Sequence, residues 1–187
     1  MAYKIILSLC CLLFLWGARA DATTAYHVTD VEQAELSTAV VIAQISTSTT
    51  RPHPNHQSIM TETNIVVEEV LYGKAPSHLN IRQIGGTLHG KTLYLPGDAR
   101  LKEGERCVLF LHAQNGVWYL TALEQSKYRL VPQGRLGWTL ERNLSEGLVT
   151  RDQSGALAPY VEPPKAPIKR LADFRLELKK LQKGGGK

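Results

Sequence analysis

The sequence predicts a mainly β protein, a small antiparallel barrel or a sandwich, with a short N-terminal helix and a C-terminal amphipathic helix. Two observations lead to this prediction. About seven short segments rich in β-branched and apolar residues follow one another between residues 39 and 131, and turn residues separate them. After a proline-rich stretch, residues 168–183 place apolar side chains at three- and four-residue steps, which is typical of an amphipathic helix.

The first twenty residues predict export. Lys4 precedes an apolar run from Ile5 to Trp16, and Ala18 and Ala20 stand where a signal peptidase requires small residues. The run is too short to cross a bilayer, which needs about 20 residues. We therefore expect residues 1–20 to be removed and the rest of the chain to be secreted or periplasmic.

Charge and cysteine content exclude several classes of protein. The formal net charge of +5 is a mild excess, and much of it lies in residues 165–187, so it does not indicate nucleic-acid binding. Cys107 is the cysteine left after processing, so the domain must fold without an internal disulfide. Its neighbours in RCVLFLH predict a small buried apolar residue rather than a nucleophile.

The first elements after the signal segment are a helix and a strand. Thr29 and Glu32 have the spacing of a capping box and predict a short helix that ends near Leu36. The β-branched, mostly apolar residues 38–47 predict a strand covered on both faces. A polar, proline-broken loop is expected from Thr47 to His56.

The segment SIMTETNIVVEEVLYG predicts a long strand with a bend. Strict alternation from Ile65 would turn Val70 to the opposite face, so we expect a β-bulge at Glu68 and Glu69. Further strands are expected at His78–Arg82, Thr92–Leu95, Glu105–His112, Val117–Leu123 and Lys127–Val131, with Asn115-Gly116 as a hairpin turn.

These patterns divide the chain into four parts. We assign residues 1–20 to a signal peptide, 21–132 to the barrel domain, 133–167 to an extension with a proline-rich linker, and 168–183 to the C-terminal helix. The extension contains one weak hairpin pattern, at residues 147–150 and 156–158. We expect the helix to pack on the outside of the barrel through Leu171, Phe174, Leu178 and Leu181. A free helix that binds a partner is the alternative.

Residues 85–92, GGTLHGKT, have the spacing of a nucleotide-binding phosphate loop. Such a loop requires a following helix, because the amides at the helix N-terminus hold the phosphate. Here the strand-like residues Thr92–Leu95 follow, and then the turn pair Pro96-Gly97. We therefore expect a glycine turn between two strands, with Lys91 in solvent and no nucleotide bound.

Four segments together resemble a family of small exported bacterial proteins of unassigned function, which are single barrel-like domains. The segments are VEEVLYGKAP, IRQIGG, LYLPGDARLKEGERCVLFL and LTALEQSKYRLV, and the terminal LADFRLELKKL is also similar. The resemblance covers Ala39–Val131. It implies a barrel of the oligonucleotide/oligosaccharide-binding type, structural turn roles for Gly85, Gly86 and Gly104, and no catalytic residue.

No combination of residues indicates a catalytic, cofactor-binding or metal-binding site. His53 and His56 are three residues apart, but no Cys, Asp or Glu stands beside them to complete a metal site. Glu68 and Glu69 would point to opposite faces of a strand, which argues against a pair of catalytic carboxylates. The Gly-x-Ser-x-Gly and His-Glu-x-x-His motifs are missing from the sequence.

We therefore expect an exported, non-enzymatic β-barrel module that binds a protein or polymer in the cell envelope or outside the cell. After processing it should have no membrane span and bind no nucleotide. Two alternatives remain open. One is a hydrolase whose site assembles only in the fold, which two titratable groups of shifted pKa in one cleft would favour. The other is a secreted protease inhibitor that inserts the loop from Thr50 to His56 into a cleft.

Overall fold

The computed structural model describes residues 25–54, 58–144, 148–151, 156–161 and 168–184. The predicted signal segment, His56 and the prolines of the linker lie outside these ranges. The described part is mainly β, as the sequence predicts. It contains the helices α1 (Asp30–Leu36) and α2 (Leu171–Gly184).

The seven strands expected up to Val131 are present, together with others, some of which the sequence did not predict. The strands are β1 (Ala25–Tyr26), β2 (Ala39–Pro52), β3 (Ile59–Gly73), β4 (His78–Ile84), β5 (Gly86–Leu88), β6 (Lys91–Leu93), β7 (Arg106–Gln114), β8 (Val117–Leu120), β9 (Lys127–Pro132), β10 (Trp138–Glu141), β11 (Leu148–Arg151), β12 (Leu157–Pro159) and β13 (Lys169–Arg170). The weak hairpin pattern of the extension is confirmed, because β11 and β12 are antiparallel partners.

Five strands form the barrel. β3 lies between β2 and β4, and β7 pairs with β2 on one side and with β8 on the other. The barrel closes through a single parallel partnership between β4 and β8, Ile81 with Trp118. The order around the barrel is therefore β2-β3-β4-β8-β7, which is the order of an oligonucleotide/oligosaccharide-binding barrel. The small barrel expected from the sequence is confirmed.

The barrel wall continues beyond β7 into an open sheet. β9 pairs with β7, β10 pairs with β9, and β13 pairs with β10. The extension after residue 132 thus contributes strands to the same sheet as the barrel. A separate small sheet joins β1, β11 and β12.

Strand β2 is buried on both faces, as its sequence predicts. Val41 and Ala43 pack inside the barrel with Ile65, whereas Val40 and Ile42 belong to an outer cluster on the other side of the sheet. Helix α2 covers that outer cluster through Leu171, Phe174 and Leu178, each at most 2% exposed, with Leu181 packed beside them. The prediction that the C-terminal helix packs on the outside of the barrel is confirmed.

A polar cluster ties the two helices to the sheet. The Tyr128 hydroxyl donates to Asp30 at 2.9 Å, and the Arg142 guanidinium lies 3.2 Å from the same carboxylate. Lys169 of β13 also pairs with Asp30. Since the Asp30 and Arg142 side chains are only 10% and 12% exposed, this carboxylate must keep its cationic partners to remain buried.

Local signals in the sequence have the expected structures. Thr29 and Glu32 form a reciprocal capping box, and Asn115 and Gly116 both have positive φ, as a tight hairpin turn requires. The β2–β3 register skips Glu68 between the partnerships of Ile42 and Ala43, which confirms a bulge at the predicted place.

The prediction of a loop from Thr47 to His56 is wrong over most of its length. Residues up to Pro52 belong to β2 and pair with β3 as far as Ile59. Hydroxyl pairs across the two strands, Ser48 with Thr63 at 3.0 Å and Thr50 with Thr61 at 3.4 Å, replace apolar packing here. Cross-strand pairs of this kind stabilise a polar strand.

Candidate functional site

The phosphate-loop spacing folds as a β-hairpin. Gly86–Leu88 and Lys91–Leu93 are antiparallel, and His89 and Gly90 form the turn between them with φ of 48° and 75°. Strand β6 therefore occupies the position at which a phosphate loop would need a helix. The Lys91 side chain is exposed. The expected glycine turn between two strands is confirmed.

Reactive side chains named from the sequence do not converge. Cys107 is fully buried in the barrel core, and burial raises the pKa of its thiol to about 12, so it is an apolar core residue as predicted. His56 lies outside the described residues. Among the residues that are described, no group of three or more His, Cys, Asp and Glu side chains could hold a metal ion.

The structure instead shows a cleft that the sequence did not reveal. Its first part, the charged groove, is a cavity of about 380 Å³ between the 94–102 loop and strands β9 and β10. Four cations and four acids line it: Arg100, Lys102, Lys127, Arg129, Asp98, Glu105, Glu124 and Glu141. Its second part, the apolar pocket, is a cavity of about 250 Å³ lined by the apolar side chains Ile84, Leu93, Tyr94, Leu95 and Leu101 together with the polar side chains Ser48, Thr61, Thr63 and Gln83. Tyr94, Asp98, Ala99 and Arg100 line both parts, so the two are continuous.

Turns fix the loop that separates the two parts. The Asp98 amide donates to Leu95 at 3.2 Å, and Gly97 has a φ of 77°, so Pro96 and Gly97 form the predicted turn. The Gly97 carbonyl then accepts from the amide of Glu124 at 2.9 Å. Asp98 is therefore held at the junction of the cleft by backbone hydrogen bonds on both sides.

Asp98 has an altered acidity. Burial raises the pKa of its carboxyl above the ordinary value of 3.8, and the negative charge of Glu124 acts in the same direction. Hydrogen bonds from Gln83 and from the amide of Ala99, the latter at 2.9 Å, partly oppose the rise. Asp98 is the acid in this cleft with a raised pKa.

Ion pairs within the cleft neutralise many of its charges. Lys127 lies 2.5 Å from Glu105, and both side chains are largely buried. Arg129 lies 2.7 Å from Glu141 at the more exposed rim. The guanidinium of Arg100 lies 5.6 Å from the centre of the Tyr94 ring, within range of a cation–π contact.

Sequence reasoning missed the cleft because its walls come from distant segments. Ile84 ends β4, Leu93 ends β6, and Glu141 ends β10. The nearest signal in the sequence was Pro96-Gly97, which predicted a turn and gave no information on what the turn holds.

Comparison with known proteins finds no matching family model, curated protein or solved structure. Within the described residues, no helix has both the length and the apolar character needed to cross a membrane.

Proposed function

We propose that this protein is an exported, non-enzymatic binding module that holds its partner, a protein or polymer, in the cleft formed by the charged groove and the apolar pocket. The observation that carries the proposal is the continuity of these two cavities across Tyr94, Asp98, Ala99 and Arg100. Together they form a concave surface of the size at which proteins bind ligands.

Cavities of about 470 Å³ beside α2 and about 400 Å³ over β3 and β4 are as large, but neither shares a lining residue with the charged groove or the apolar pocket. The outer face of β2 and β7 is covered by helix α2, and the interior is filled by side chains such as Ile65, Leu109 and Leu111. A partner therefore has to bind at the barrel end or on the faces that α2 leaves open. The cleft lies at that end, beside the hairpin of β5 and β6.

A hydrolase is the second candidate, and Asp98 is the observation that favours it. A carboxyl with a raised pKa beside a second acid, Glu124, is an arrangement that general acid catalysis uses. The expectation from sequence required two groups of shifted pKa in one cleft, and Asp98 supplies a single such group. We therefore place binding before catalysis.

Three residues of the loop proposed for a protease inhibitor belong to a strand. Thr50, Arg51 and Pro52 are paired with β3 as part of β2. Of the proposed loop, Asn55 and His56 lie outside the described residues. A segment held in a sheet cannot insert into a protease cleft in extended form without breaking that pairing.

Site-specific photocrosslinking tests the proposed function. A photoreactive amino acid at Lys102, which lines the charged groove and is exposed, should give a discrete adduct when the protein is expressed in its native host. The same group at Leu157, which is 61% exposed on β12 and outside the cleft, is the matched control. The intact mass of the recovered protein should also show cleavage after Ala20.

The outcomes separate the candidate functions. An adduct from position 102 and none from position 157 supports binding in the cleft. Adducts from both positions, or from neither, would refute it. Release of a cleaved product that stops when Asp98 is replaced by asparagine would establish the hydrolase instead.

A further inference from the structure

Three large apolar side chains of the apolar pocket are exposed to solvent. Ile84 is 53% exposed, Leu93 is 38% exposed and Tyr94 is 56% exposed, and all three line the same cavity. Single exposed apolar residues are ordinary on protein surfaces, but a group of them around one concavity marks an interaction site. The pocket can therefore take an apolar group from a partner.

A sugar ring or a nucleobase would find hydrogen-bonding side chains in this pocket, such as Thr63 and Gln83, but little aromatic surface. Such rings bind by stacking on aromatic faces, and the aromatic side chain of this pocket is Tyr94, with Arg100 over its ring. Ile84 and Leu93 offer branched aliphatic surface, which packs best against another aliphatic or aromatic side chain. An amino-acid side chain matches this surface.

The charged groove is unsuited both to polyanions and to polycations. Its four cations and four acids leave no net charge. Nucleic acids and acidic polysaccharides are held by a net positive field, which this groove lacks. A segment with charges of both signs can instead exchange partners with the Arg129–Glu141 ion pair, which is exposed at the rim.

Continuity of the two cavities lets one ligand extend from one to the other. The hairpin beside them adds a backbone element, because β5 and β6 form a two-stranded sheet and no further strand pairs with β6 in the described ranges. Such an edge can hydrogen-bond the main chain of an extended peptide.

We propose that the partner is a protein that presents an extended segment, with one apolar side chain in the apolar pocket and charged side chains of both signs along the charged groove. This inference rests on the proposed function, since it names the class of partner for the same cleft. It assigns specificity to Ile84, Leu93 and Tyr94, and orientation to the ion pair of Arg129 and Glu141.

Selection from a library of random peptides displayed on phage tests the inference. The full processed chain is the bait, and peptides that bind the support without the bait are subtracted. The selected peptides should share an apolar residue flanked by charges of both signs. Measured by fluorescence anisotropy, their affinity should fall at least about tenfold for Leu93→Asp, the loss expected of a central anchor contact.

Leu157→Asp is the matched control, because it places the same charge at an exposed leucine outside the cleft. The affinity of this variant for the peptides should equal that of the wild type. Thermal unfolding of both variants shows whether the fold is kept. If Leu93→Asp unfolds, Tyr94→Ala replaces it, and the same loss is expected.

Three results would overturn the inference. One is a selection without enriched peptides, and another is a set of peptides that bind wild type and the pocket variant equally. The third is a photocrosslinked adduct at position 102 that contains a polysaccharide or nucleic acid and no protein. That third result leaves the proposed binding function in place, whereas failure to form any specific adduct refutes the binding function itself.

Discussion

Replacement of Phe174 by alanine should lower the free energy of unfolding by about 3–5 kcal/mol, the range for truncating a buried phenylalanine. The Phe174 side chain is 1% exposed, and its ring centre lies 6.0 Å from that of Phe110 and 6.2 Å from that of Tyr128. The Lys169 ammonium lies 4.7 Å from the same ring. Three partners on three different strands surround the side chain, so the cavity left by alanine should collapse little.

Urea unfolding followed by tryptophan fluorescence measures this loss. The control is Leu176→Ala, on the same helix but 58% exposed, which should change the free energy of unfolding by less than about 1 kcal/mol. The two substitutions alter helix propensity in the same direction, so their difference reports packing against the sheet. A loss below about 1 kcal/mol for Phe174→Ala would refute the packed helix, and α2 would then be free to bind a partner.

Three further predictions concern other residues. Gly86→Ala should destabilise the fold by about 1–3 kcal/mol, and by more than Gly90→Ala does. A Cβ at Gly86 would lie 2.4 Å from the Thr61 hydroxyl, whereas a Cβ at Gly90 would face open space. Urea unfolding of the two variants measures the difference. Asp98 has a raised pKa in the fold, so the free energy of unfolding should decrease as pH rises from about 3.8 through that pKa. Asp98→Asn should remove this decrease when unfolding is followed at acidic and neutral pH. Cys107 should react with a thiol reagent only after unfolding, because its side chain is buried. A colorimetric thiol assay with and without urea measures this reaction. Rapid reaction of the folded protein would contradict the burial of Cys107.

The sequence predicts those parts of the fold that local chemistry determines. Thr29 and Glu32 specify the start of α1, and Asn115-Gly116 specifies the β7–β8 turn, since each acts on backbone groups within four residues. The bulge at Glu68 was also predictable, because an extra residue changes the alternation within one strand. The stripe of α2 predicted a packed helix, because an isolated amphipathic helix is only marginally stable in water.

Features that depend on distant partners could not be predicted. Thr49 and Thr50 look like loop residues by polarity, and only their partners Glu62 and Thr61 on β3 make them strand residues. The same holds for the cleft, which brings Ile84 to Tyr94 and Glu141 to Asp98 only when the barrel has closed. The raised pKa of Asp98 follows from the burial of its carboxyl in the cleft, so no local motif predicts it.

The contact between Asp30 and Lys169 has a consequence for the timing of folding. The two residues are 139 positions apart in the chain, and the helix that covers Val40 and Ile42 begins only after Lys169. At typical rates of synthesis of about 5–20 residues per second, about 7–28 s separate their emergence from the ribosome. Throughout that interval the outer face of β2 lacks the cover of α2, so the nascent chain presents a hydrophobic surface that chaperones can bind. A protein built in this way completes its fold late, which is compatible with the export that we propose.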